Sequence, residues 1–189
     1  MSLARLYLLK AHLNVQDDID DLELAHYLQV GEEYVKTYTG RQLTYGQYTE
    51  EWIEDELPRK KETYLVLWLR ETPVDIAQAV QVYIDGELQA DEPFTVKEDG
   101  RIALTSEPSH RLKIVYYAGY KDPAQGVSPY TPADLEQAII TIAGLLYQEK
   151  KGTFGVKSVA LGDESVSAIE QFVPERIKRI LDAYRRIGL

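Results

Sequence analysis

AQAVQVYIDGELQ fills residues 77–89, and FTVKEDGRIALT fills residues 94–105. Each sets an Asp-Gly pair, Asp85-Gly86 and Asp99-Gly100, between alternating apolar residues. Asp-Gly suits a two-residue hairpin loop, because its central positions need positive φ. Two such signals in succession predict antiparallel β structure. The texture continues on both sides. TYLVLWLRETPV (63–74) is a β-branched and aromatic run ended by Pro73, YTEEWIEDEL (48–57) alternates loosely, and RLKIVYYAGY (111–120) reads as a last strand. The expectation is a small antiparallel sheet of roughly five or six strands over residues 47–120.

Helical patterns lie outside it. Ser2 is placed to cap a helix over residues 3–13, with Leu3, Leu6, Leu9 and Leu13 on one stripe. A second helix starts within NVQDDIDDLEL (14–24) and runs to Tyr38, with Leu22, Ala25, Leu28 and Val35 at helical spacing. Thr39-Gly40 stops it, since Gly accepts the left-handed conformation that follows a helix. Gly31 inside it costs about 1 kcal/mol relative to Ala and marks a kink or a close helix contact. Thr131-Pro132 opens a third helix, apolar almost all round through AIITIAGLLY (138–147), the pattern of a central core helix. Pro174 starts a last helix over residues 175–187. Between these two, residues 153–172 are rich in Gly, Ser and Val, alternate like strands and carry a turn at 161–164, which reads as a projecting arm or hairpin. The predicted class is α+β. A framework of about four helices (1–46 and 121–189, arm 153–172) holds an inserted antiparallel sheet at 47–120.

Composition bounds the function. The 189 residues suffice for one or two domains with a core. No apolar run approaches the ~20 residues of a membrane span. The first residues read as a helix of the fold and not as a signal peptide, because no small-residue cleavage site follows them. There is no Cys, so disulfides and thiolate metal sites are excluded. His12, His26 and His110 lie far apart, without zinc-ligand spacing. The formal net charge is −10, against the basic balance of proteins that grip DNA phosphates. The charge is uneven: acids crowd the first third, while PERIKRILDAYRRI (174–187) carries Arg176, Lys178, Arg179, Arg185 and Arg186. Opposite charge at opposite ends suits head-to-tail assembly, and also suits two solvated helix faces.

Asp17, Asp18, Asp20 and Asp21 are the strongest candidate for chemistry. Calcium loops need acids at positions one, three and five, Gly at six and Glu at twelve. Counting from Asp18 puts Leu22 at five and Glu23 at six; counting from Asp17 puts Ile19 at three. Neither register works. A helix start accounts for the residues: Asp17 or Asp18 accepts the free N–H groups of the first turn, and the rest meet the positive end of the helix dipole. No nucleophile elbow, phosphate-binding loop or dinucleotide fingerprint is present. Two other classes stay open on residues alone: a divalent-metal accessory enzyme with carboxylates converging in space, and an oligomeric binding module of cellular origin.

The order of parts resembles the head–tail connector proteins of tailed bacteriophages, also called head-completion or adaptor proteins. The matching residues are Leu9-Lys10, Leu13-Asn14-Val15, the four aspartates, Leu28, Val35 and Tyr38-Thr39-Gly40-Arg41. Ile114–Tyr120, PADLEQAIITIAGLLY, KSVALGDESVS (157–167) and a last helix ending in YRR complete the likeness. The sheet sets this chain with longer members that carry a β insertion. The resemblance implies a structural virion protein with no active site and no cofactor or metal. It implies a ring of about twelve subunits under the portal, which extends the DNA channel and receives the next tail component. Self, portal and tail component are then the partners; DNA passes without specific binding and no membrane is involved. Candidate partner contacts are Lys157, Ser158, Leu161, Asp163, Glu164 and Ser165 in the arm. Arg176, Arg179, Arg185 and Arg186 on the last helix join them, facing an acidic portal surface.

Overall fold

A computed structural model describes residues 2–53, 56, 64–89, 94–106, 108–122, 129–152 and 173–185. The chain divides into two compact units, residues 1–41 with 121–189, and residues 42–120.

The first unit is helical. It contains α1 (Leu6–Leu13), α2 (Asp21–Thr39), α3 (Ala133–Lys150) and α4 (Glu175–Asp182). Gly40 ends α2 at φ 67°, the left-handed stop its position predicts. α3 packs against the other three helices, and Leu135, Ala138, Ile139, Ile142, Ala143 and Leu146 are buried. Each buried Leu or Ile among them contributes roughly 1.5–3 kcal/mol of burial, so the apolar run of α3 anchors the unit. Gly31 settles as a close contact: a Cβ there would meet the Ile139 carbonyl at 3.2 Å. Gly144 does the same toward α1, where a Cβ would lie 3.1 Å from the His12 ring.

Two helix boundaries differ from the sequence reading. α1 begins only after Arg5, and Ser2 does not cap it. The Ser2 hydroxyl donates to buried Glu32 at 2.6 Å, and the Leu3 N–H donates to the same carboxylate at 2.8 Å. Arg5 donates Nε and Nη2 to buried Glu136, each at 2.8 Å. A buried carboxylate needs donors more than a helix end needs a cap. At the other terminus α4 stops at Asp182, short of Ile187.

The second unit is all β. β1 (Gly46–Ile53), β7 (Arg111–Ala118), β3 (Gln81–Ile84) and β4 (Glu87–Leu88) form one antiparallel sheet in the order β1-β7-β3-β4. β2 (Leu65–Trp68), β6 (Arg101–Leu104) and β5 (Phe94–Val96) form a second, ordered β2-β6-β5. One core joins Leu65, Leu67 and Leu69 with Ile102, Leu104, Val82, Leu112, Ile114 and Tyr116. The antiparallel insertion is therefore two sheets rather than one. Strands read as a single series, but β2 pairs with β6, and β1 with β7. Both Asp-Gly pairs form hairpin turns: β3–β4 by the expected two-residue loop, with Asp85 at φ 50° and Gly86 at φ 93°, and β5–β6 by a loop one residue longer, in which Lys97 pairs with Arg101 and Gly100 alone of the pair has positive φ, at 88°. Asp85 also accepts the N–H groups of Ser109, His110 and Arg111 at 3.0, 2.7 and 2.7 Å, which pins its hairpin to the start of β7.

Candidate assembly surfaces

The four aspartates do not form a metal loop, nor do their side chains cap α2. Asp20 stands at the N-cap, but its carboxylate makes no bond to the helix N–H groups. It accepts instead from the Tyr147 hydroxyl at 2.5 Å and from Lys151 Nζ at 3.2 Å, both at the end of α3. Asp18 and Asp21 share Lys10 of α1, at 2.6 and 2.7 Å. Asp17 accepts from the Ile19 N–H at 3.2 Å, an Asx turn. Glu23 pairs with Lys150. The acids thus tie the start of α2 to α1 and to the end of α3. The Tyr147 hydroxyl and then Lys151 hold the Asp20 carboxyl below the usual range, Lys10 does the same for Asp18, and Asp18 and Asp21 raise Lys10. Among the described residues no three His, Cys, Asp or Glu side chains are placed to hold a metal ion.

The far end of the α2–α3 pair belongs to α4. Asp182 accepts from the Tyr38 hydroxyl at 2.9 Å, and Tyr184 donates to Asp134 at 2.6 Å. Ile177 and Leu181 are buried. Of the candidate contact residues, Arg176 and Arg179 stand exposed one turn apart on α4. Arg185 lies 3.8 Å from Asp182 and covers the Tyr38 ring, 5.4 Å from its centroid. Arg186 and the arm residues Lys157, Ser158, Leu161, Asp163, Glu164 and Ser165 lie outside the described residues, as does the arm itself.

Three features escaped the sequence reading. Ile19 and Leu22 are 86% and 90% exposed, although periodicity places Leu22 on the apolar stripe of α2. Tyr64, Val66 and Trp68 are exposed on alternate positions at β2, a strand with one neighbour among the described residues. Glu50 is buried at 7% exposure on β1 and accepts from the Tyr116 hydroxyl and from the Arg70 N–H. Only the last had a sequence signal, a charged residue at an inward position of an alternating strand.

This arrangement suits a structural protein: the aspartates are tied into packing, and the unusual surfaces are apolar or basic patches that suit macromolecular contact. The chain matches the head completion protein family over residues 8–187 and belongs to it. Its role is structural, in joining head to tail, and its place is the virion. Two solved structures share the fold at 15% identity, covering 99% of this chain and 91% of theirs. One, with a TM-score of 0.56, comes from the neck of an empty gene transfer agent particle computed with C6 symmetry. The other, at 0.57, comes from the virion of a native gene transfer agent particle. No curated protein matches the sequence.

Proposed function

We infer that the chain forms a closed ring of about twelve copies between portal and tail, so that the DNA channel continues through it. The observation that carries this reading is the head completion match across nearly the whole chain. The sixfold neck in which one similar fold occurs supports a ring whose order is a multiple of six. A net charge of −10 supports passage of DNA without specific binding, because a surface of that sign repels phosphates. The protein is made in the host cytoplasm and joins the particle there. Its partners are further copies of itself, the portal and the next tail component. Arg176, Arg179, Arg185 and Arg186, with the segment 153–172, supply the contacts. DNA-filled heads made without this protein test the reading. Adding purified protein is expected to restore tail attachment, with a ring counted by mass measurement on the portal complex. Heads that join tails equally well without it overturn the reading.

A further inference from the structure

We propose that the Ile19–Leu22 corner of one copy docks on the arginine face of α4 in the next copy, a head-to-tail contact. The proposal rests on the ring reading above and names the surfaces that make the ring.

The corner is apolar at its centre. Ile19 and Leu22 are three residues apart across the start of α2, and both project into solvent. Two large aliphatic side chains this exposed and this close are costly to leave in water. Carboxylates rim them: Asp17 is exposed, and the Asp18 side chain is 88% exposed even while it meets Lys10. The surface that fits it is basic around an apolar floor.

α4 presents such a surface. Arg176, Arg179, Ile180 and Ala183 fall within one arc of about 100° at 3.6 residues per turn. Ile180 is half-buried and Ala183 exposed, so the arginines border a shallow apolar strip. Among the described residues Arg176 and Arg179 make no ion pair, whereas Lys10, Lys36, Lys150, Lys151 and Lys178 each do. Arg5 and Arg185 pair with Glu136 and Asp182 as well, so the described ion pairs of the helical unit bypass Arg176 and Arg179.

The two surfaces lie at opposite ends of the helical unit. Asp20 and Glu23 hold the corner to the end of α3, at Tyr147, Lys150 and Lys151. Tyr38 and Asp134 hold the last turn of α4 at the other end of α2 and the beginning of α3. α2, 19 residues and about 28 Å long, runs between the two sets of contacts. Complementary patches on opposite ends cannot satisfy each other within one copy, nor across a twofold axis with a single contact. They repeat from copy to copy and close only as a ring.

The chain has no Cys, so introduced thiols are unambiguous. Leu22→Cys and Arg179→Cys in one chain, treated with a short bis-maleimide on the assembled protein, is expected to give a covalent ladder ending at the ring. Either single variant is expected to stay monomeric, and a mixture of the two to stop at dimers. Arg179→Glu in place of the cysteine, with the linker moved to Ala183→Cys, is expected to lower the yield about tenfold, and Asp17→Arg to restore it. Single variants that dimerise alone, or a double variant that gives no ladder while rings still assemble on the portal, overturn this contact and leave the connector reading standing. Cross-links from Arg179→Cys to the portal instead of to a second copy also overturn it. Absence of any ring with the unaltered chain counts against the ring reading itself.

Discussion

Two carboxylates in the β unit show how opposite environments give one side chain type opposite effects. Glu50 is buried, and burial pushes its carboxyl above the ordinary glutamate range, although Tyr116 and the Arg70 N–H oppose this. Its Oε2 has no hydrogen bond; the Arg70 guanidinium stands 3.6 Å away, too far for one. The folded state then binds the Glu50 proton more tightly than the unfolded chain. Its contribution is most favourable below the ordinary glutamate value and is lost as pH rises through the raised one. Glu50→Gln keeps an acceptor for Tyr116 and Arg70 and removes the ionisation. Chemical denaturation from pH 4 to 8 is expected to show a smaller fall in stability for the variant than for the wild type. Glu50→Ala strands the Tyr116 hydroxyl and the Arg70 N–H, and is expected to cost about 1–3 kcal/mol at pH 4 and less as pH rises.

Asp85 has the reverse sign. It accepts three backbone N–H groups, of Ser109, Arg111 and His110, and these hold its carboxyl below the ordinary value of 3.8. Its contribution is complete above that value and is lost as pH falls through the lowered one. Asp85→Asn keeps the left-handed turn, which Asn tolerates, but removes the charge and one acceptor oxygen. The melting temperature is expected to fall at pH 7, and the gap from the wild type to narrow as pH falls below 3.8. A gap that stays constant with pH would show that the turn, not the carboxylate, sets the effect. The pair also explains a limit of sequence reading. Asp85-Gly86 is legible as a turn because turn chemistry is local, whereas the hold on Ser109, His110 and Arg111 joins residues 24, 25 and 26 positions apart.

The same distinction runs through the elements. α3 is legible because a helix buried on several sides leaves an apolar pattern in its own residues. The α2 stop and both hairpins are legible because Gly40, Gly86 and Gly100 hold positive φ that few residues accept. The division of the strands into two sheets is not legible, since pairing of β2 with β6 joins segments tens of residues apart and alternation is the same in either sheet. The aspartates are the clearest case. Their sequence context reads as helix punctuation, yet Asp20 serves α3, 127 residues away. Nor does the period that puts Leu22 on the apolar stripe reveal that the stripe runs past the edge of the core.

At this scale the crossing of α2 and α3 makes a measurable claim. Gly31 has no Cβ, and one placed there would press on the Ile139 backbone oxygen at 3.2 Å. A backbone atom inside a buried helix gives way less than a side-chain tip does. Gly31→Val adds two methyl groups beyond that Cβ, and is expected to destabilise the helical unit by about 1–3 kcal/mol despite the better helix propensity. Val30→Ala, one position away and half-buried, is the control. Urea denaturation that shows Gly31→Val equal to the control would mean that the helices separate freely, and that Gly31 does not set their distance.

For the whole molecule, assembly needs surfaces that folding leaves unused. The helical unit spends its aspartates and most of its cations on internal ties, and the β unit closes around its own core. Residues 153–172 show no core period in their sequence, and with Gly and Ser they carry Val156, Leu161 and Val166 as apolar side chains with no partner assigned by that pattern. The proposed function assigns this segment to contact with a neighbour. Replacing residues 156–168 by a Gly-Ser linker of equal length keeps the tether between α3 and α4 and removes only the side chains. The thermal midpoint of the isolated protein is expected to move by less than about 2 °C, because none of the described core is touched. Binding to the portal complex, measured by co-sedimentation, is expected to fall at least about tenfold, a loss of roughly 1.4 kcal/mol. Unchanged portal binding and tail attachment would show that the arginines of α4 and the corner of α2 suffice for assembly without the segment. A large drop in midpoint would instead make residues 156–168 part of the fold.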